Sequence, residues 1–272
     1  GNMAIAADVI RIGGNWDLSR AKIYGQISCP GATVEGQMRL SDARLQGGEL
    51  AFRGDSARVR GGCYMSRAKV VGLVRFPSAE MGNQFRLRSA SIKVDRGAAV
   101  LASGATFQRD VELNDGFEAS GAVVFDQAKI GGVCDLKGSR IVSAILSGTP
   151  TGPKPDPGPT PPMLAQDRPR GIVDLSRARV GSYLDFAASW PPNPGFRGWH
   201  EGREVDHLVL DGFSYEHLSN PAGTVIGATA PGTYGESVGE RRIAWLEGQD
   251  FASIRDHFKP QAWMQLANRL AA

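Results

Sequence analysis

Gly14-Asn15-Trp16-Asp17-Leu18-Ser19-Arg20-Ala21-Lys22-Ile23-Tyr24 is followed at once by Gly25-Gln26-Ile27-Ser28-Cys29-Pro30-Gly31-Ala32-Thr33-Val34-Glu35, and Gly36, Met38, Leu40, Ala43 and Leu45 then repeat the pattern. The apolar residues of the first unit, Trp16, Leu18, Ala21 and Ile23, are separated by 2, 3 and 2 positions, with 4 to the next unit. An eleven-residue period also suits a right-handed coiled coil. A helix face, however, needs spacings of 3 and 4, and one glycine per unit would cost each turn of helix about 1 kcal/mol. Spacings of 2 place residues on one side of an extended segment. Each unit is therefore two very short strands joined by tight bends.

The bend before alanine carries Ser19, Ser41, Ser66, Asn114, Asp126 and Ser176, whose short polar side chains can bond nearby backbone. The other bend carries Gly14, Gly25, Gly36, Gly48, Gly61, Gly72, Asn83, Gly121, Gly132 and Gly171, so a left-handed backbone is expected there. The alanine is the small residue that brings one wall close to the axis.

Two units, about 22 residues, make one four-sided coil of a right-handed parallel β-helix. Insertions support this pairing. Ala43 to Ala57 is 14 residues and Ala90 to Ala105 is 15, so three and four extra residues enter at alternate units. The repeat is followed over residues 4–218, as about fourteen units or seven coils, a rod ~33 Å long. A proline-rich loop at 146–170 and an irregular insertion at 190–204 interrupt it. Residues 219–272 read as a helical end module. Ser237-Val238-Gly239-Glu240 is a capping box, and Lys259-Pro260 opens a helix with Trp263, Leu266 and Leu270 on one stripe. A solenoid end left open exposes core and strand edges, so these helices are the expected cap, and the stripe is the expected interface with a protein partner or a second copy.

The composition excludes several classes. The net charge of +3 is small and its carriers are interspersed, which argues against a nucleic-acid partner. No apolar run reaches the length of a membrane-spanning helix. Gly1 looks like a tag remnant, so the chain reads as an excised piece of something longer. Cys29, Cys63 and Cys134 fall on apolar columns and are expected as buried thiols.

The Gly-x-x-x-Leu-Ser-x-Ala-x-Ile units, as in Gly14 to Ile23, resemble bacterial pentapeptide-repeat-like β-helix proteins. Leu210 to Tyr215, Arg242 to Leu246 and Phe258 to Ala267 are similar to the end module of a group of these labelled membrane-associated oxidoreductases. The resemblance implies a membrane context, at the cytoplasmic face, and brings no catalytic residues with it.

No residues support the oxidoreductase label. A dinucleotide site needs a glycine-rich turn opening a helix, and these glycines recur between strands. His200, His207, His217 and His257 show no metal-ligand spacing. No cofactor is expected. Asp17, Glu112, Asp135, Asp174 and Asp185 occupy the outward position before an apolar residue, and Asp135 and Asp174 could stack as a carboxylate pair. The outward position after alanine is more informative. In one set of alternate units it holds Lys22, Arg44, Lys69 and later Arg140; in the other it holds Thr33, Arg58, Glu80, Thr106, Lys129 and Arg179. Lys22, Arg44 and Lys69, flanked by Arg20 and Arg67, form a basic ladder open to acidic polysaccharide, lipid headgroups or a protein, or else a solvated face paired with nearby aspartates. The preferred function is a non-enzymatic structural or interaction domain of a membrane-associated protein. The alternative is a carbohydrate-binding or carbohydrate-active β-helix using its lateral face. A DNA-mimicking role needs an acidic rod, which a charge of +3 does not provide.

Overall fold

The computed structural model describes residues 2–142, 171–184, 198–200, 203–219 and 264. Over these the chain is an all-β parallel solenoid of about 6 turns, with ~23 residues per turn. The described strands form one 11-stranded and one 13-stranded sheet running along the molecule. Every described pairing is parallel except that of Gly198–His200 with Arg203–Val209. That hairpin falls partly within 190–204, a stretch expected to be irregular.

The two-unit coil is visible in the register. Trp16 lies opposite Met38, Met38 opposite Cys63, and Cys63 opposite Phe85. In the other half of the coil Val34 lies opposite Val59, and Met81 opposite both Val59 and Phe107. Apolar positions thus stack on their own kind and fill the interior. Phe52, Phe76, Phe85, Phe107 and Phe125 are fully or almost fully buried, and their rings follow one another at 5.0, 5.6, 5.5 and 6.0 Å. Each such ring pair adds about 0.5–1.5 kcal/mol to the burial itself. A smaller cluster, Ala98, Leu101, Ala122 and Val124 with Leu73, is separate from this core.

The extra residues are absorbed as bulges. The strands Arg44–Arg53 and Ser91–Leu101 carry them, and the register shifts between Val71 and Val74 and between Lys93 and Val100 before recovering. Both bulges occur at the same corner of the coil, where Gly25, Gly72 and Gly121 turn the chain in other turns.

The left-handed corner meets expectation in part: Gly25, Gly48, Gly72 and Gly121 have positive φ, at 118°, 74°, 119° and 132°, but a second left-handed site was not foreseen. In most described units the residue with positive φ is the one before alanine: Arg20 at 61°, Asp42 at 60°, Ser56 at 54°, Arg67 at 56°, Ser78 at 55° and Ser89 at 54°. The N–H of the alanine closes a β-turn onto the carbonyl three residues back, as from Ala21 to Leu18 at 3.1 Å. Positive φ at the third residue is what a type II turn requires. At the other corner Gly36 and Gly61 have no left-handed φ; the space is filled instead. A Cβ on Gly61 would lie 2.7 Å from the carbonyl oxygen of Gly36 in the preceding coil. Glycine is needed there for close backbone approach.

The polar residues of the alanine bend also act less than expected. The N–H groups of Ser19 and Ser176 donate to the carboxylates of Asp17 and Asp174, each at 2.9 Å. The aspartate two residues earlier thus ties down the turn. Asp135 and Asp174 do not stack: Asp135 lies opposite Glu112 in one sheet and Asp174 opposite Val124 in the other. The two half-coils alternate, so equivalent positions in successive units face different ways.

Residues 146–170, most of 190–204 and the end module 219–272, apart from Met264 and from Ser219, which ends the strand Ser214–Ser219, lie outside the described residues, as do Trp263, Leu266 and Leu270.

Candidate functional site

Lys22–Tyr24, Arg44–Arg53 and Lys69–Arg75 lie side by side in one sheet, with Lys22 opposite Arg44 and Arg44 opposite Lys69. Alternation turns Leu45 and Val70 into the core and Ile23 against it, and leaves the three cations exposed on the outside. The column continues through Ser91, Glu118 and Arg140, so its single-sign part spans three coils. Two unit charges one coil apart, about 4.8 Å, repel by roughly 0.9 kcal/mol in bulk water. No ion pair with Lys22, Arg44 or Lys69 occurs among the described residues.

The flanking cations differ from the ladder itself. Arg67 grips Asp42 with two hydrogen bonds, Nε to Oδ1 at 2.8 Å and Nη2 to Oδ2 at 2.7 Å. These bonds hold the Asp42 carboxyl below its ordinary range, helped by the charges of Arg67 and Arg20. Asp42 occupies the coil between Arg20 and Arg67 and takes up Arg67, which leaves exposed Arg20 as the one cation of this stretch of the turn row without an ion pair among the described residues.

The other outward rows carry ion pairs. Thr33, Arg58, Glu80, Thr106, Lys129 and Arg179 stack in one column, where Arg58 meets Glu80 at 3.7 Å while Lys129 and Arg179 face each other with no ion pair among the described residues; in the neighbouring row Arg60 meets Glu35 at 3.0 Å. In a third, Arg86 lies over the Tyr64 ring at 5.6 Å and binds both oxygens of Glu112. Arg53 and Arg75 share Asp55, at 2.9 and 2.7 Å. The Lys22 column stands out because it stacks three like charges on successive coils with no acid between them.

A second outward column runs beside it: Tyr24 opposite Gln46, Gln46 opposite Val71, and Val71 opposite Lys93. Tyr24 is 70% exposed and Val71 47%. Sequence reasoning missed this column. Its signal is the residue directly after the inward Ile23, Leu45, Val70 and Ile92, one step past the basic position. The bulges border it, and Arg96 of one reaches Glu49 of the other at 3.3 Å across the intervening coil.

The thiols offer no alternative centre. Cys29, Cys63 and Cys134 are buried and free. Burial pushes the Cys29 and Cys134 thiols up to about 12 and raises Cys63 as well. Thiol chemistry at neutral pH needs a shift in the opposite direction. Among the described residues, no group of three or more His, Cys, Asp or Glu is arranged to hold a metal ion. No described helix is long and apolar enough to cross a membrane.

Compared with protein families, curated proteins and solved structures, the chain matches none.

Proposed function

We propose that this chain is a non-enzymatic β-solenoid, a structural and interaction domain of a membrane-associated bacterial protein, which presents its Lys22–Arg44–Lys69 face to an anionic partner. One observation carries the reading: three exposed cations stack in register over successive coils without counter-charges, whereas the next longest such stack among the described residues, Lys129 opposite Arg179, has two. The membrane context rests on the likeness of the tail segments alone. We also read the cross-section as four-sided, from the four inward positions that recur in each turn. The winding is read as right-handed, as parallel crossovers nearly always are. Residues 219–272 are read as the helical cap, with Trp263, Leu266 and Leu270 as a second, protein-binding or self-associating surface.

The test is retention on a carboxylate cation exchanger. The triple variant Lys22→Gln, Arg44→Gln, Lys69→Gln should elute at distinctly lower salt than the parent. A variant of equal charge, Arg11→Gln, Arg109→Gln, Lys129→Gln, should shift less, because its cations do not adjoin one another: Arg11 and Lys129 stand in the Thr33 column with four rungs between them. Equal shifts in the two variants would mean that the face has no special role.

A further inference from the structure

We infer that the partner of this face is a linear acidic polysaccharide lying along the rod axis, with the Lys22–Arg44–Lys69 column holding its carboxylates and the Tyr24–Val71 column supporting its sugar rings. The inference rests on the anionic-partner reading above and names the class of partner.

Three features favour this ligand. The first is dimensional. The cations form a row one residue wide, advancing by one strand spacing of about 4.8 Å per coil. Consecutive sugars of an extended uronate chain advance by a step of the same order. A three-rung row therefore meets a polymer that carries one charge per sugar. Arg44, at the centre, suits a carboxylate best because its planar fork can donate two parallel hydrogen bonds, with the lysines acting as point charges on either side.

The second feature is the neighbouring column. A sugar ring has an apolar C–H face, and Tyr24 and Val71 offer exposed apolar surface in register with the cations: Tyr24 two residues after Lys22 and Val71 two after Lys69. Gln46 between them supplies an amide for ring hydroxyls. Tyrosine suits such a contact, with an aromatic body and a polar tip.

The third feature is what surrounds the strip. Asp42 on one side is held by Arg67 and Glu49 on the other by Arg96, and after Lys69 the column passes to Ser91 and Glu118. A planar anionic bilayer draws on a broad basic surface, which a single column of three cations does not supply. A thread one sugar wide needs no more than that column. Nucleic acid fits less well, since duplex DNA carries a charge every ~1.7 Å of axis and draws on a broad basic field. Here the basic strip is one residue wide and three rungs long.

The experiment titrates the full chain with polygalacturonate and with alginate, by calorimetry at low and moderate salt. A single-stranded oligonucleotide and phosphatidylserine vesicles serve as competing polyanions. Polyuronate binding is expected, weakening with salt. The Lys22→Gln, Arg44→Gln, Lys69→Gln variant should lose about tenfold in affinity, the sum of three exposed ion contacts. Tyr24→Ala should lose affinity without changing the salt dependence, and the Arg11, Arg109, Lys129 control should bind as the parent does. All these side chains point outward, and circular dichroism checks that each variant is folded; the single Arg44→Gln change, expected to weaken binding by less, is the fallback. Binding of oligonucleotide or vesicles through the same three cations, without polyuronate binding, overturns this inference and leaves the anionic-partner reading standing. Identical behaviour of triple variant and control overturns both. Release of shortened or unsaturated sugar products overturns the non-enzymatic reading.

Discussion

Val9 holds φ at 57°, a conformation that costs a β-branched residue more than most. It occupies the same turn position as Arg20, Asp42 and Ser56, where other units place unbranched or short polar side chains, or glycine as at Gly31 and Gly104. Val9 is also 74% exposed, so its side chain contributes little by burial. Val9→Gly should raise stability by about 1 kcal/mol in chemical denaturation, the relief of left-handed strain exceeding the entropy lost. The cysteines make a second residue-level prediction. Their folded thiols ionise well above the ordinary value, with Cys29 and Cys134 near 12. A group whose folded pKa is raised contributes stability that is complete below its unfolded pKa, near 8.5, and lost as pH rises through the folded value. Stability should therefore fall between about pH 8.5 and 12, more steeply in the parent than in a Cys29→Ala, Cys63→Ala, Cys134→Ala variant. Parallel pH profiles of the two proteins would show that the thiols carry none of it.

At the scale of the element, each half-coil is two short strands and a turn, and its weakest tolerance is at the glycine corner. Gly61→Ala would drive a methyl group into the carbonyl of Gly36, a backbone atom that cannot rotate away. The expected cost is about 1–3 kcal/mol in thermal or denaturant unfolding, against little change for alanine at Gly13, where the space is open. The strands themselves were legible from residues such as Trp16, Leu18, Ala21 and Ile23, because a spacing of 2 has one geometric meaning. The glycine corner was read correctly at Gly25, Gly48, Gly72 and Gly121 and not at Gly36 or Gly61, because glycine in a sequence does not say why it is glycine. At Gly25 it is a positive φ of 118°; at Gly61 it is lack of room. The second left-handed site is occupied by Arg67 or Ser78, residues that give no such signal. The basic ladder was legible because side-chain period and coil period are both fixed. The pairing of Arg67 with Asp42 depends on rotamers, and the exposed Tyr24–Val71 column becomes visible only when the strands are laid side by side.

Across the whole molecule, the described coils pair their strands only with those of adjacent coils, the Arg96–Glu49 contact between bulges apart, so stability is close to a sum of similar interfaces and a local change is felt locally. The positions of the bulges bear this out in the register: the rungs up to Gln46 and from Phe52 on, and those up to Lys93 and from Val100 on, are paired without slippage. The stretch between Val142 and Gly171 enters at the same corner, and on either side of it Glu118 still faces Arg140 and Val123 still faces Val173. An insertion of four glycine and serine residues between Gly72 and Leu73 should therefore cost less than about 1 kcal/mol, close to loop-closure entropy alone. The same insertion between Arg67 and Ala68 would break a closed turn and should cost several times more, as compared by thermal unfolding. The seam then works as an expansion joint. A lineage, or an engineer, can hang new segments from it at chosen heights along the shaft, each set beside the basic strip, without recutting the threads of the screw.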